Sequence, residues 1–304
     1  MDSTASISTF GARLMPFLAI LRYDLRTLSS SWLVRLWLVG SVLLTLFMVT
    51  VCWAQPQLRT AEFIGTLLFP YLVGPWFLVV VVLGADPVSA ARTDALADGI
   101  LSRPVTRSEY LLASWAARLV VVVGSYLLVM VPAVLSVALA QRRAPPDTVT
   151  TYGIIASLAL VGLVLTFLVS LAYLLGTLFR RPLLAIVVAL FIWYPSNIIL
   201  NVYSLDAFST FSLNKSLPLL LRTPWRVADK PAEPEKGLGM EIFSNPIESL
   251  FGSAIPTAPP EPKGSFFDRD RDASFSLLRV SLGYGLSTLV CVGLTLFCFC
   301  NRDL

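Results

Sequence analysis

Tyr152-Gly153-Ile154-Ile155-Ala156-Ser157-Leu158-Ala159-Leu160-Val161-Gly162-Leu163-Val164-Leu165-Thr166-Phe167-Leu168-Val169-Ser170-Leu171-Ala172-Tyr173-Leu174-Leu175-Gly176-Thr177-Leu178-Phe179 carries no charged side chain. About 20 apolar residues in a helix cross the hydrocarbon of a bilayer. Backbone N–H and C=O groups find no water there, so the segment must satisfy them internally as a helix. Outward from it, five more stretches meet the same requirement: 36–54, 63–85 and 110–140 before it, 183–202 and 275–300 after it. The expected fold is therefore an all-α integral membrane protein with six transmembrane helices. The second span contains Pro70, Gly74 and Pro75. Each proline lacks the donor for its helical hydrogen bond, so a kink is expected there. The third span is longer than one bilayer needs.

The whole-chain composition agrees. Of 304 residues, 56% are apolar and 14% charged, and mean hydropathy is +0.76. A soluble domain has about 45–50% apolar and about 25% charged residues. So few charges cannot cover a surface facing water, and lipid is the expected surrounding. A formal net charge of +4 is too small to suggest nucleic-acid binding. The chain has no histidine, which removes the commonest general base and the commonest metal ligand. Cys52, Cys291, Cys298 and Cys300 lie in or beside apolar runs, without a CxxC pair or zinc spacing. They read as buried apolar side chains, with lipidation or a metal at Cys298 and Cys300 as the alternative.

Residues 13–31 are amphipathic. Leu14, Phe17, Leu18, Leu21, Leu25 and Leu28 recur at spacings of three and four, with Arg22, Asp24 and Arg26 on the other face. This predicts a helix lying in the membrane interface. The alternative is an extension of the first span, but Ser29-Ser30-Ser31 is a poor helix interior. The first residues lack the basic start and short apolar core of a signal peptide. Basic residues near span ends set orientation. With the N-terminus inside, Arg13, Arg22, Arg26, Arg92, Arg103, Arg107, Arg180, Arg181 and Arg302 lie inside, against Arg59, Arg142 and Arg143 outside. This excess places both termini in the cytoplasm, and the plasma (inner) membrane is the expected location.

Three parts follow: 1–203 with the interfacial helix and five spans, an extracytoplasmic Pro-rich loop over 204–274, and 275–304 with the last span and a short cytoplasmic end. The outer segment is long and rich in Pro, Glu and Lys, which reads as irregular chain. Its start, 205–221, is apolar enough to touch the outer leaflet. The segment reads as a cap over a substrate path or as a tolerated insertion.

Motifs that carry chemistry are missing. There is no G-x-x-x-x-G-K-[ST] phosphate loop, and Gly237-Leu238-Gly239 alone is no nucleotide site. No H-E-x-x-H and no G-x-S-x-G occurs. Asp86 and Glu62 sit at span ends, whereas an ion-coupled carrier or intramembrane aspartyl protease needs carboxylates deep in the membrane. The spans read as offering hydroxyls and amides: Thr45, Thr166, Ser170, Tyr173, Ser196 and Asn197. Tyr194-Pro195-Ser196-Asn197 reads as helix–helix hydrogen bonding, with lining of a path as the alternative. No catalytic, cofactor-binding or metal residue is assigned, and the chain is not expected to be an enzyme.

The informative loop joins the second and third spans. Residues 88–101 can form a short helix with an apolar side that includes Ala91, Leu96 and Ile100. Arg103 precedes Pro104, which turns the chain out of the helical region. Thr106 or Ser108 can cap the next helix, with Glu109 near its positive end. Such an element can dock into a soluble partner and pass a push to the attached spans.

Leu101-Ser102-Arg103-Pro104-Val105-Thr106-Arg107-Ser108-Glu109-Tyr110 resembles the loop after the second span of ABC-2 type permeases, the membrane subunits of ATP-binding-cassette exporters. In that family an acidic–small–Leu stretch precedes L-S-R-P-[VL]-[ST]-R, an aromatic and often a Lys. The layout is also similar, down to the closing Phe299-Cys300-Asn301-Arg302-Asp303-Leu304. The motif-specific part covers residues 86–118. Two departures stand out: Asp94-Ala95-Leu96-Ala97-Asp98-Gly99 blurs the family's acidic–Gly–Thr start, and Ser114 stands at the usual Lys position with Arg118 one turn on.

The resemblance implies a cytoplasmic coupling helix seated in a groove of a separate ABC ATPase subunit. Arg92, Asp94, Arg103, Pro104, Val105, Arg107 and Glu109 are then contact or shaping residues. For the arginines, the alternative is ordinary positive charge beside lipid headgroups. It further implies a second permease copy or homologue, no cofactor in this chain, and ATP and Mg bound by the partner ATPase. The implied function is export of an unidentified substrate. A non-transporting anchor or assembly factor working through the outer segment is the rival reading.

Overall fold

The computed structural model describes residues 3–54, 58–93, 106–139, 149–179, 181–202, 209–222 and 277–301. Among them all regular structure is helical: α1 (Ser3–Ser30), α2 (Trp32–Trp53), α3 (Thr60–Leu72), α4 (Trp76–Thr93), α5 (Arg107–Leu139), α6 (Thr151–Leu178), α7 (Pro182–Val202), α8 (Thr210–Leu221) and α9 (Leu277–Cys300). Six segments are long and apolar enough to cross a membrane, with α3 and α4 together forming one of them. The chain has the architecture of a multi-pass membrane protein.

Local chemistry sets the breaks. Ser31 is extended (φ −64°, ψ 141°) and its Oγ accepts from the Val34 N–H at 3.4 Å. This is an N-cap, so α1 is a separate helix and no extension of the first span. The second span is fully broken, beyond the expected kink. The chain leaves the helix at Val73, and α4 starts only after Pro75. A Cβ at Gly74 would stand 2.8 Å from Pro70 Cα and 2.9 Å from its carbonyl oxygen, so the turn requires glycine. Tyr194 Oη of α7 donates to the Val73 carbonyl at 3.5 Å, which supplies a partner to backbone at the break.

Helix α6, the stretch quoted first, is the hub and touches α3, α4, α5, α7, α8 and α9. Its tightest neighbour is α4. A Cβ at Gly84 would stand 2.5 Å from the Ala172 Cβ, and one at Gly176 would stand 2.6 Å from the Ala85 carbonyl oxygen. Ala172 and Gly176 sit one turn apart and form a small-xxx-small face. In lipid no hydrophobic drive pulls helices together, and such faces give close van der Waals contact instead. The periphery shows the opposite pattern. Leu36, Val39, Leu43, Leu46 and Phe47 on α2, and Leu278, Leu282, Leu286 and Leu289 on α9, are exposed. Apolar faces of this extent call for acyl chains rather than water.

Helix α8, within the 205–221 stretch expected to touch the outer leaflet, packs one face against α3, α6 and α7, with Leu213, Leu217, Leu220 and Leu221 buried. Cys52 and Cys291 are buried free thiols and Cys298 is half-buried.

Candidate functional site

The site is built around the start of α5, directly after the loop that the sequence singles out. Helix α4 runs unbroken to Thr93, so the first turn of the helix expected over 88–101 is the tail of the second span. Arg92 lies in that tail and Arg107 opens α5, but both side chains lie outside the described residues, as do Asp94, Arg103, Pro104 and Val105. Glu109 is described. Its N–H donates to Thr106 Oγ1 at 3.3 Å, and its Oε2 accepts from the Thr106 N–H at 3.1 Å. This reciprocal pair is a capping box. Glu109 thus holds the angle at which the loop enters α5, and Thr106, one of the two expected caps, is the one used.

Beyond the cap, α5 is stitched to α6. Tyr173 Oη donates to the Leu111 carbonyl at 3.2 Å, and Trp115 Nε1 donates to Ser170 Oγ at 3.0 Å. Further along, Tyr126 Oη donates to the Leu158 carbonyl at 3.3 Å. The pairs 111/173, 115/170 and 126/158 define one antiparallel register, with the two helices ending flush beside the loop. Leu296 and Phe299 of α9 close over the Leu111–Tyr173 contact.

Arg118 lies in this layer, only 4% exposed. Its guanidinium sits 5.4 Å from the Tyr173 ring centroid, and Nη1 donates to both the carbonyl and, at 2.6 Å, the Oγ of Ser114. A cation over a ring, with two oxygens of Ser114 accepting from it, has its charge compensated inside the bundle. The reading that the spans offer only hydroxyls and amides is therefore corrected. Arg118 is a bundle-buried charge, and such charges mark functional positions by default. The one sequence signal was a lone Arg inside an otherwise apolar run.

Helix α1 packs along α5. Leu25 and Leu28 face the core. Asp24 is half-buried beside them, within electrostatic reach of Tyr110 and Tyr173. This corrects its assignment to the polar face. Leu18, expected on the apolar face, is 45% exposed. The assembly of α1, α5, α6 and α9 grips the helix that leaves the loop. Among the described residues no three His, Cys, Asp or Glu side chains gather as a metal site.

At the other end of the bundle, Asn197 holds α8. Its Oδ1 accepts from both the N–H and the Oγ1 of Thr210 at 2.8 Å, and its Nδ2 donates to the Trp193 carbonyl at 2.9 Å. Ser209 Oγ donates to the Asn197 carbonyl at 3.2 Å. The helix–helix reading of this segment holds for Tyr194 and Asn197. The far end of α8 is fixed by Thr150, whose N–H and Oγ1 donate to the Leu221 carbonyl at 3.0 and 3.3 Å. A Cβ at Gly153 would collide with that carbonyl. Arg222 then faces Glu62 at 4.0 Å, an ion pair beyond hydrogen-bond distance. Compared with known proteins, the chain matches no family model and no curated protein.

Proposed function

We propose that this chain is the membrane-spanning subunit of an ABC-2 type exporter, moving a substrate across the plasma membrane with energy from a separate ATPase. The observation that carries the reading is the capped, gripped start of α5. The L-S-R-P-V-T-R run ends at Thr106 and Arg107. The Thr106–Glu109 box, the Trp115 and Tyr173 bonds and the buried Arg118 then tie that start to α6. A displacement of the loop would reach the hub helix without being absorbed by a soft hinge. The broken second span at the other end of α4 supplies a place where the bundle can yield. On this reading both termini and the 94–105 loop are cytosolic, Arg103 and Arg107 seat the loop in the ATPase groove, and a second permease copy or homologue completes the path. The chain itself performs no hydrolysis.

The test is co-purification of the full chain with candidate soluble ATPases from membranes, followed by transport assays of Arg103→Glu plus Arg107→Glu. A stable complex that the double charge reversal breaks, together with lost ATP-driven transport, is expected. No complex with any ATPase, and cells that tolerate the reversal but not removal of 223–272, would instead establish the anchor reading.

A further inference from the structure

Helices α3, α7 and α8 leave a groove of about 270 Å³ between them, lined by Phe69, Val73, Ile198, Phe211, Asn214 and Lys215. Four of these are apolar, and Phe69 and Ile198 are open to the lipid side. Lys215 is exposed, and among the described residues no carboxylate lies within ion-pair distance of it. Asn214 Oδ1 is buried with no hydrogen-bond partner among the described residues. The groove therefore presents one cation on an apolar wall, with an unpartnered amide oxygen enclosed behind it.

Its depth follows from the register of α8 against α3. Arg222 meets Glu62 at the bundle's end, and one turn deeper Pro218 faces Gly65, where an added Cβ would stand 3.6 Å from Pro218 Cγ. Lys215 lies seven residues before Arg222, about 10 Å farther in at about 1.5 Å per residue. A cation facing lipid at that level is costly unless its stem reaches toward the headgroups or an anion comes down to it. The apolar stem and the open groove allow both at once.

We infer that this groove binds an anionic phospholipid of the adjacent leaflet. The phosphate sits on Lys215, and the first part of an acyl chain lies along Phe69, Val73, Ile198 and Phe211. The volume falls just under the about 300 Å³ lower bound of small-molecule sites, so it takes a headgroup and chain start while the rest of the lipid stays in the bilayer. The inference stands apart from the exporter reading, since no ATPase and no transport enters it.

Native mass spectrometry of the full chain in neutral detergent tests it, with phosphatidylglycerol and phosphatidylcholine of identical acyl chains. Preference for phosphatidylglycerol on the order of tenfold is expected. Lys215→Gln should bring the two lipids to parity while Lys215→Arg keeps the preference. Equal binding of both lipids by the unmodified chain, or an undiminished preference in a folded Lys215→Gln protein, overturns the proposal. Full competition by millimolar inorganic phosphate would also overturn it, by showing a free-anion site instead.

Discussion

Replacing Gly176 by Ala tests the packing on which the architecture depends. The added Cβ would stand 2.6, 2.9 and 3.1 Å from the carbonyl oxygen, Cα and carbonyl carbon of Ala85. Ordinary carbon contacts lie at about 3.5–4.0 Å. All three obstacles are backbone, so no rotamer change relieves them, and α4 and α6 must separate by roughly 1 Å along their tightest interface. Overpacking of this kind costs about 1–3 kcal/mol, with rigid backbone pointing to the upper half. Ala in place of Gly within a helix returns up to about 1 kcal/mol. The net expectation is a loss of about 1–2 kcal/mol, a factor of about 5–30 in the folded-to-unfolded ratio. Gly124 supplies the control, because a Cβ there meets nothing within 4 Å. The same substitution at Gly124 should stabilise by up to about 1 kcal/mol. Reversible unfolding in mixed micelles, followed by tryptophan fluorescence, reads both. Gly176→Ala matching or exceeding Gly124→Ala in stability would refute the close α4–α6 approach and the role assigned to small residues.

Thr106→Ala should cost about 1 kcal/mol and speed hydrogen exchange of the first α5 amides; adding Glu109→Ala should cost less than the sum of the singles, because the two form one box. A double-mutant cycle of Arg118→Leu and Tyr173→Leu should show a coupling of about 1 kcal/mol or more, and a coupling near zero would mean that guanidinium and ring do not interact. Asn197→Leu strands the Thr210 N–H and should destabilise by about 1–3 kcal/mol, with exchange quickening across α8, whereas the exposed neighbour Ser196→Ala should stay within about 0.5 kcal/mol.

Much of the fold was legible because a bilayer imposes blunt requirements. A charge-free run such as 152–179 has one stable way to satisfy its backbone, and the observed helix bounds fall within a few residues of the expected ones. Local stops were legible for the same kind of reason. The serine run ends α1, Pro70-Gly74-Pro75 breaks the second span, and Thr106 caps α5, each through a neighbour within a few positions. The candidate site was legible only in part. The loop could be located, but the residues that grip its exit could not. Trp115 meets Ser170 and Arg118 meets Tyr173 across more than fifty positions of sequence.

The linear chain determined the number and apolarity of the spans and where several of the helices stop, since these depend on solvent and on near neighbours. Tertiary structure alone decided that Arg118 is enclosed, that Asp24 turns inward and that α8 enters the bundle. The periodicity of a helix shows which residues share a face but not what that face meets. A lone cation or a short apolar run has the same local pattern against lipid, water or another helix, and the packing partner settles which.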